Sequence, residues 1–198
     1  MEAFLENPEV VWEWYNWRRK ILSEVKPNPG HHALAQLEDL MDDFTVITQN
    51  VDGLHEEAGS RTILELHGNI RRNKCSRCNE ACYVEDEIDP KDIPTCKYCG
   101  GKIRPDVVWF GEMLDPEIIE RAFVCAEQAD VFLSVGTSAV VHPAASLPIA
   151  AKRAGAILIE VNPEPTPVSD LADYRFERQS GDFLPILVSR VRETSPGH

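Results

Sequence analysis

The sequence predicts an α/β fold, with a Rossmann-like, mostly parallel sheet covered by helices on both faces and a small inserted zinc-ribbon module. Three observations support this prediction. Short apolar segments alternate with helical segments over residues 26–70 and 105–198, which favours right-handed crossovers between parallel strands. Residues 71–104 are instead polar, turn-rich and cysteine-bearing. The 198 residues are 43% hydrophobic and 27% charged, which is a globular composition.

Residues 1–25 are predicted to form the helical segment of a small domain. A helix is expected from Pro8 to Val25, because five apolar residues recur there at helical spacing, namely Val11, Trp12, Trp14, Tyr15 and Leu22. The segment Pro27-Asn-Pro-Gly30 then breaks the chain. A second helix is expected from about His31 to Met41.

Residues 26–70 and 105–198 are predicted to be the two parts of the Rossmann-like domain. Short runs rich in β-branched and aromatic residues indicate strands, which are expected at Phe44–Thr48, Ile63–Leu66, Val107–Phe110, Val131–Val135 and Ala156–Val161. Longer segments with helical periodicity follow them, at Pro116–Gln128, Ala144–Ala154 and Phe183–Arg192.

Polar clusters follow three of these strands. They are Gln49-Asn-Val-Asp52, Gly136-Thr-Ser138 and Asn162-Pro-Glu164. Ligands of open parallel sheets bind beyond the carboxyl ends of the strands. The sequence therefore predicts a ligand site at this edge of the sheet.

Four cysteines form two C-x-x-C pairs separated by 17 residues, Cys75 with Cys78 and Cys96 with Cys99. This spacing is typical of a tetrahedral zinc site, and four protein ligands leave no open position, so one structural Zn²⁺ is expected. Two disulfides or a redox-active dithiol are the alternatives. Cys82 is expected to be a spare cysteine close to the first pair, and Cys125 a small buried residue within a helix.

His67 follows a predicted strand and precedes a glycine, which places its imidazole on a sharp turn. A neutral imidazole there suits a general base near pH 7. The alternative is a histidine that only holds the turn by hydrogen bonding. The sequence contains no Gly-x-Gly-x-x-Gly and no Walker loop, so glycine-rich phosphate motifs do not identify the ligand.

The net charge of −13 argues against direct nucleic-acid binding, which depends on Lys and Arg contacts to phosphates. The negative charge either attracts basic, lysine-bearing partners or only maintains solubility. No apolar run approaches the roughly 20 residues that span a bilayer, and the first residues carry no basic segment of a secretory signal. A cytoplasmic protein without membrane contacts is expected.

Several ordered motifs together resemble the sirtuin family of NAD-dependent protein-lysine deacylases. They are Thr48-Gln-Asn-Val-Asp-Gly-Leu-His55, Leu66-His-Gly-Asn69, the two cysteine pairs, Val107-Val-Trp-Phe-Gly-Glu112, Gly136-Thr-Ser138 and Asn162-Pro-Glu164, followed by Ser180-Gly181 before Phe183-Leu-Pro185. The first six occur in sirtuin order and at sirtuin spacing from residue 48 to residue 164, and the ending fits the family's C-terminal pattern.

This resemblance implies roles for individual residues. His67 would be the catalytic base, acting through the ribose hydroxyls of NAD. The nicotinamide and its ribose would contact Gln49, Asn50, Val51 and Asp52, and the phosphates and the adenine-side ribose would contact Gly136, Thr137 and Ser138. The adenosine end would contact Asn162, Pro163, Glu164 and Ser180. An acyl-lysine protein substrate would lie along the strand that carries Val108 and Phe110, by β-augmentation.

The implied reaction transfers the acyl group from lysine to NAD and yields free lysine, nicotinamide and O-acyl-ADP-ribose. The pair Tyr15-x-x-Arg18 resembles that of class III sirtuins, which accommodates succinyl, malonyl or glutaryl lysine. On a helix these two residues share a face and could bind one carboxylate. The alternative is an amphipathic helix with Tyr15 half-buried and Arg18 solvated. Deacetylation is expected as a second activity.

Sirtuins normally open with a strand and a glycine-rich loop that covers the cofactor, and this chain begins after that segment. The sheet is therefore expected to lack its first, central strand. Either the sequence is a fragment of an ordinary enzyme, or it is a natural short variant. In the second case the alternative function is an inactive, zinc-stabilised protein that binds acyl-lysine or nucleotide; a zinc-ribbon interaction module is a third possibility. A dimer or swapped assembly that covers the open strand position is a further hypothesis.

Overall fold

The computed structural model describes residues 1–84 and 87–194. The helices are α1 (Glu2–Glu6), α2 (Pro8–Glu24), α3 (Pro29–Leu40), α4 (Leu54–Glu57), α5 (Pro116–Gln128), α6 (Leu147–Ala154) and α7 (Ser180–Thr194). The strands are β1 (Val46–Thr48), β2 (Ile63–Glu65), β3 (Gly68–Cys75), β4 (Ile103–Val107), β5 (Val131–Val135), β6 (Ile157–Val161) and β7 (Tyr174–Phe176). Within this part of the chain, no helix has the length and apolar character needed to cross a membrane.

The chain forms two compact units. The first comprises Met1–Lys26, Thr48–Gly53 and His67–Leu114, and the second comprises Pro27–Ile47, Leu54–Leu66 and the residues from Asp115 onward. The helical N-terminal segment and the cysteine-bearing segment therefore belong to one unit. The predicted domain boundaries, at residues 25, 70 and 104, remain a prediction.

In the first unit, helix α2 packs on the antiparallel ribbon of β3 and β4. Asn7 caps the helix by accepting a hydrogen bond from the Val10 N–H, and Pro8 occupies its first turn, where a missing N–H is harmless. Trp12 is fully buried, and its indole Nε1–H donates to the Ile103 carbonyl at 3.0 Å. This contact fixes the helix on the second strand of the ribbon.

The second unit contains a parallel sheet in the order β5-β6-β7 and a separate pair of strands, β1 and β2. Val131–Val135 pair in register with Ile157–Val161. Helices α3 and α7 pack together with Leu133 and Val135 of β5, and α6, paired with α5, packs on β5 and β6. The predicted α/β class with a parallel sheet is confirmed.

Several predicted elements differ from those observed. The strand predicted at Val107–Phe110 is wrong: β4 ends at Val107, and Trp109 to Glu112 form a turn in which the Glu112 N–H donates to the Trp109 carbonyl at 2.9 Å. Phe110 consequently lies in a turn and is 99% exposed. Helix α7 begins three residues earlier than predicted. The short elements α1, α4 and β7 were not predicted, because three to five residues carry too little periodicity.

Candidate functional site

His67 lies at the junction between β2 and β3 and is held at both its side chain and its backbone. Its Nδ1 lies 3.0 Å from the Gln49 carbonyl oxygen. Its own carbonyl accepts a hydrogen bond from the Val108 N–H at 2.9 Å. Because a carbonyl can only accept, Nδ1 carries the proton of the neutral imidazole, and the lone pair is therefore on Nε2.

The turn after His67 requires a glycine. Gly68 has φ +78°, and a Cβ atom at this position would lie 2.2 Å from the Asp106 carbonyl oxygen of β4. Any side chain would therefore push β3 away from β4 at the first paired position, Gly68 with Val107. The glycine of the Leu66-His-Gly-Asn motif thus lets the backbones of β3 and β4 approach closely, and this places the imidazole at the end of the ribbon.

The segment from Gln49 to Asp52 lies beside this turn. The Val51 carbonyl accepts a hydrogen bond from the Ile70 N–H at 2.8 Å, and the Asn50 N–H donates to the Thr48 hydroxyl at 3.1 Å. Asn50 is exposed, whereas Gln49, Val51 and Asp52 are half-buried. The first predicted polar cluster and His67 are therefore brought together within one unit.

Val108 and Trp109 connect the ribbon to helix α2. Val108 binds the His67 backbone, and the Trp109 indole N–H donates to the Tyr15 hydroxyl at 2.6 Å. Tyr15 is buried, and this burial raises the pKa of its phenol, while the Trp109 hydrogen bond and the guanidinium groups of Arg104 and Arg18 partly oppose the increase. Tyr15 therefore stays protonated at neutral pH.

Arg18, the other residue of the predicted acyl-binding pair, is exposed on α2. Its guanidinium carbon lies 5.2 Å from the centroid of the Trp14 ring. The Trp14 ring in turn meets Tyr15 edge-on at 4.8 Å. The structure thus gives Tyr15 and Arg18 separate partners, Trp109 and Trp14, and leaves the Arg18 charge accessible.

A buried ion pair supports Trp109. Arg104 is 1% exposed, and it donates to both carboxylate oxygens of Glu112 at 2.6 and 2.9 Å and to the Val107 carbonyl at 2.6 Å. Its guanidinium carbon lies 3.5 Å from the Trp109 ring centroid. Burial opposes ionisation of Glu112, but the Arg104 hydrogen bonds and the Trp109 N–H outweigh it and lower the pKa of Glu112.

The four predicted metal ligands come together at the far end of the ribbon. The Sγ–Sγ distances are 3.4 Å between Cys75 and Cys99, 3.5 Å between Cys78 and Cys99, and 3.8 Å between Cys78 and Cys96. A tetrahedral Zn²⁺ with Zn–S bonds of about 2.3 Å separates its ligand sulfurs by about 3.8 Å, so the four thiols fit this ion. In the described part of the chain, Cys82 does not belong to the cluster and no cysteine is disulfide-bonded.

The thiols of this cluster influence one another's ionisation. The pKa of Cys75 is lowered to about 6, because hydrogen bonds from the backbone N–H groups of Cys78 and Arg77 outweigh its burial. The Glu80 N–H favours the Cys78 thiolate, but the neighbouring thiols outweigh this effect and raise the pKa of Cys78 to about 12. A divalent cation binds thiolates, so metal uptake here must release protons.

In the second unit, the cluster Gly136 to Ser138 follows β5 directly. Gly136 has φ +59°, and a Cβ atom there would meet nothing within 4 Å. The Asn162 side chain, at the end of β6, donates to the Thr137 carbonyl at 3.0 Å. The second and third predicted clusters are therefore joined at the carboxyl edge of the parallel sheet.

The loop after Asn162 is held by a buried carboxylate that the sequence did not single out. Glu160 is 1% exposed; it accepts hydrogen bonds from the hydroxyls of Thr166 and Ser169, the latter at 2.5 Å, and lies 3.6 Å from Arg175. Pro163 and Glu164 are exposed in this loop. Ser180, predicted at the adenosine end, is the first residue of α7 and approaches Gly30 of α3.

Sequence reasoning missed the residues that hold the predicted ones in place, notably Arg104, Trp109, Glu112 and Glu160. Trp109 and Glu112 lie in a recognised motif, yet the motif alone does not show that they bind Tyr15 and Arg104. The sequence feature that could have drawn attention to Arg104 is its place in an arginine-proline-aspartate sequence directly before an apolar run.

Comparisons with known proteins agree with these observations. The sequence model of the Sir2 family matches residues 1–143. The chain is 46% identical over 192 residues to an NAD-dependent protein deacylase of Aquifex aeolicus (strain VF5), covering 97% of this chain and 80% of that protein. It is 50% identical over 183 residues to an NAD-dependent protein deacylase of Aeropyrum pernix, covering 92% of this chain and 74% of that protein.

Solved structures are similar as well. A crystal structure of a Sir2 homolog–NAD complex superposes with a TM-score of 0.90 at 46% identity, covering 97% of this chain and 75% of that one. A Sir2 complex with a p53 peptide and NAD⁺ superposes with a TM-score of 0.83 at 34% identity, covering 98% of this chain and 82% of that one.

Proposed function

The chain belongs to the Sir2 family, and on that premise we propose that it catalyses the NAD-dependent removal of acyl groups from protein lysines. NAD, when bound, would supply the ribose carbon that bonds to the acyl oxygen as nicotinamide leaves, and the ribose hydroxyl that finally carries the acyl group. One water molecule is consumed, and the products are free lysine, nicotinamide and O-acyl-ADP-ribose. The related deacylases carry this activity in their names, and the chain covers between 74% and 80% of the length of those described above.

The observation that carries the proposal is the orientation of His67. The Gln49 carbonyl fixes the proton on Nδ1, so Nε2 is available to accept a proton from a ribose hydroxyl. A positioned general base of this kind contributes about 10²–10⁴-fold to a rate. The neighbouring Gln49, Asn50 and Asp52 offer amide and carboxylate groups for the nicotinamide and its ribose.

The second unit carries the residues at which we expect phosphates and adenosine to bind. The strand-end cluster at Gly136 is open to solvent, and the Asn162–Thr137 hydrogen bond fixes the edge at which phosphates and adenosine are expected. A Zn²⁺ ion held by Cys75, Cys78, Cys96 and Cys99 would have no open position. Its role in this proposal is to fold the ribbon rather than to take part in the chemistry.

For the acyl group, we propose a preference for acidic groups such as succinyl or malonyl, with deacetylation as a second activity. The exposed Arg18 supports this preference, because a guanidinium binds a carboxylate by charge-assisted hydrogen bonds. The Tyr15 hydroxyl accepts from Trp109 and keeps its own proton for donation. Loss of one hydrogen bond to a charged group costs about 1.5–3 kcal/mol, or about 10- to 100-fold in a rate.

The test follows nicotinamide release from NAD with succinyl-lysine and acetyl-lysine peptides. His67→Ala is expected to abolish release with both peptides, whereas His32→Ala, which removes an exposed histidine from α3, is expected to leave it unchanged. Arg18→Met is expected to lower desuccinylation about 10- to 100-fold while deacetylation changes less than about threefold.

Other outcomes separate the parts of the proposal. If Arg18→Met lowered desuccinylation and deacetylation equally, the proposed preference for acidic acyl groups would be refuted, whereas the proposed deacylation would not. Saturable binding of NAD or acyl peptide without nicotinamide release would instead support the alternative of an inactive binding protein. Turnover that persists in His67→Ala would refute the assignment of the base.

A further inference from the structure

Helix α2 has two apolar faces, one buried against its unit and the other largely exposed. On the packed face, Trp12 and Tyr15 are buried. Asn16 donates to the Ile88 carbonyl at 2.8 Å, and Arg19 donates to the Ile70 carbonyl at 2.7 Å. These residues account for the attachment of the helix to the ribbon.

The opposite face carries an exposed apolar stripe. Val10, Trp14, Trp17 and Ile21 are 55%, 48%, 56% and 42% exposed. They are spaced four, three and four residues apart, so at 100° per residue they fall within a 60° sector. This is the a/d spacing of a two-helix packing seam rather than scattered surface residues.

Charges along the helix are arranged asymmetrically around this stripe. Its N-terminal half carries Glu9 and Glu13, and its C-terminal half carries Arg18 and Lys20, with Glu24 at the end of the helix; all five are exposed, and Arg18 contacts Trp14. Glu13 and Lys20 flank the stripe on the same side, because their helical angles differ by only 20°. These two residues are complementary to the same two residues on a second copy of the helix that runs in the opposite direction.

We propose that the exposed face of α2 is a self-association surface, on which two copies of this chain pack their α2 helices antiparallel. In this register Trp14 of one copy lies opposite Trp17 of the other, and Val10 lies opposite Ile21. Glu13 of each copy then faces Lys20 of the other, which gives two symmetric ion pairs. The aromatic pair at the centre excludes water from the contact.

The charge of the whole chain argues against two other occupants of the stripe. The net charge of −13 disfavours nucleic acid and anionic lipid. Half-exposed side chains of these sizes offer about 400 Å² per copy, or about 800 Å² in total, which lies below the standard interface size. A weak, concentration-dependent dimer, with a dissociation constant on the order of micromolar or above, is therefore expected.

Sedimentation equilibrium of the whole chain from about 1 to 200 μM samples this range. The wild-type protein is expected to shift from monomer to dimer. Trp17→Glu is expected to weaken the dimer at least about tenfold, since it places a charge at the centre of the seam. Ile186→Glu, at an exposed apolar position of α7 that is 51% exposed, is the matched control and is expected to leave the dimer unchanged.

The charge pair tests the antiparallel register independently of the tryptophans. Lys20→Glu is expected to weaken the dimer about three- to tenfold, and the double variant Glu13→Lys/Lys20→Glu is expected to restore it. Circular dichroism and zinc content would verify that each variant is folded. A protein that stays monomeric throughout, a dimer indifferent to Trp17→Glu, or a charge swap that fails to restore association would each overturn the proposal.

Discussion

Replacing Glu112 with glutamine tests whether the buried ion pair fixes the Trp109 turn. In the native structure both carboxylate oxygens of Glu112 accept from Arg104, and Oε2 also accepts from the Trp109 backbone N–H at 3.0 Å. Glutamine keeps the size and one acceptor oxygen but removes the charge. The Arg104 guanidinium would then be buried without a counter-ion.

The expected loss follows from the burial of the two partners. Removing one partner of a buried pair costs about 3–5 kcal/mol, because the remaining charge is uncompensated. The Glu112 side chain is 18% exposed and that of Arg104 is 1% exposed, so water partly relieves the charge at one end only. We therefore expect Glu112→Gln to reduce the free energy of unfolding by about 2–4 kcal/mol.

The assay is urea unfolding at pH 7, followed by tryptophan fluorescence and far-UV circular dichroism. The double variant Arg104→Met/Glu112→Gln is the critical comparison, because replacing both charges leaves nothing uncompensated. It is expected to be more stable than Glu112→Gln alone. A single variant that loses less than about 1 kcal/mol, or a double variant less stable than the single one, would refute this account of the pair.

Three further perturbations follow from the geometry. Glu38→Gln removes an acceptor from the Arg61 and Thr62 backbone N–H groups, bound at 2.8 and 2.9 Å, and is expected to cost about 1–3 kcal/mol in urea unfolding at pH 7. Burial opposes ionisation of Glu38, but these N–H groups outweigh it and lower the pKa of Glu38. The stabilisation that the carboxylate gives is therefore complete above its unfolded-state pKa and is lost as the pH falls through the lowered folded-state pKa. A variant whose free energy of unfolding depends on pH below pH 4.5 as strongly as that of the wild type would contradict this. Gly68→Ala is expected to destabilise the first unit, and by clearly more than Gly155→Ala destabilises the protein. Gly155 also has a positive φ, but a Cβ atom there would meet nothing within 4 Å, so its replacement should cost about 1–2 kcal/mol. Equal melting temperatures of the two variants would exclude the clash at Gly68. Cys96→Ser is expected to abolish zinc binding by metal analysis while Cys82→Ser retains one ion per chain, and equal zinc contents would show that Cys82 is a ligand.

The surroundings of His67 show how these perturbations relate to the proposed chemistry. Its side chain is oriented by one backbone carbonyl, and its backbone is tied to Val108. Trp109, the next residue, is fixed by Arg104, Glu112 and Tyr15. Changes at Glu112 or Gly68 are therefore expected to affect turnover through position rather than through direct contact with substrate.

The sequence by itself determined the fold class, and it predicted the four cysteines that cluster and the segment that lies beside His67. Periodicity identifies long elements such as α2, α3 and α5, because apolar residues that recur every three or four positions lie on one face of a helix. The cysteine spacing identifies four thiols that reach one ion, since two C-x-x-C turns restrict the geometry before folding. The ordered motifs then indicated the family, which the comparisons show.

Only the tertiary structure shows which contacts hold the predicted site residues in place. The strand predicted through Phe110 ends at Val107, because Arg104 and Glu112 draw the following residues into a turn. The hydrogen bond from Trp109 to Tyr15 joins residues 94 positions apart. The exposed stripe on α2 is likewise visible only once Trp12 and Tyr15 are known to face inward. Contacts between distant residues depend on how whole elements pack, and local sequence patterns carry no information about that packing.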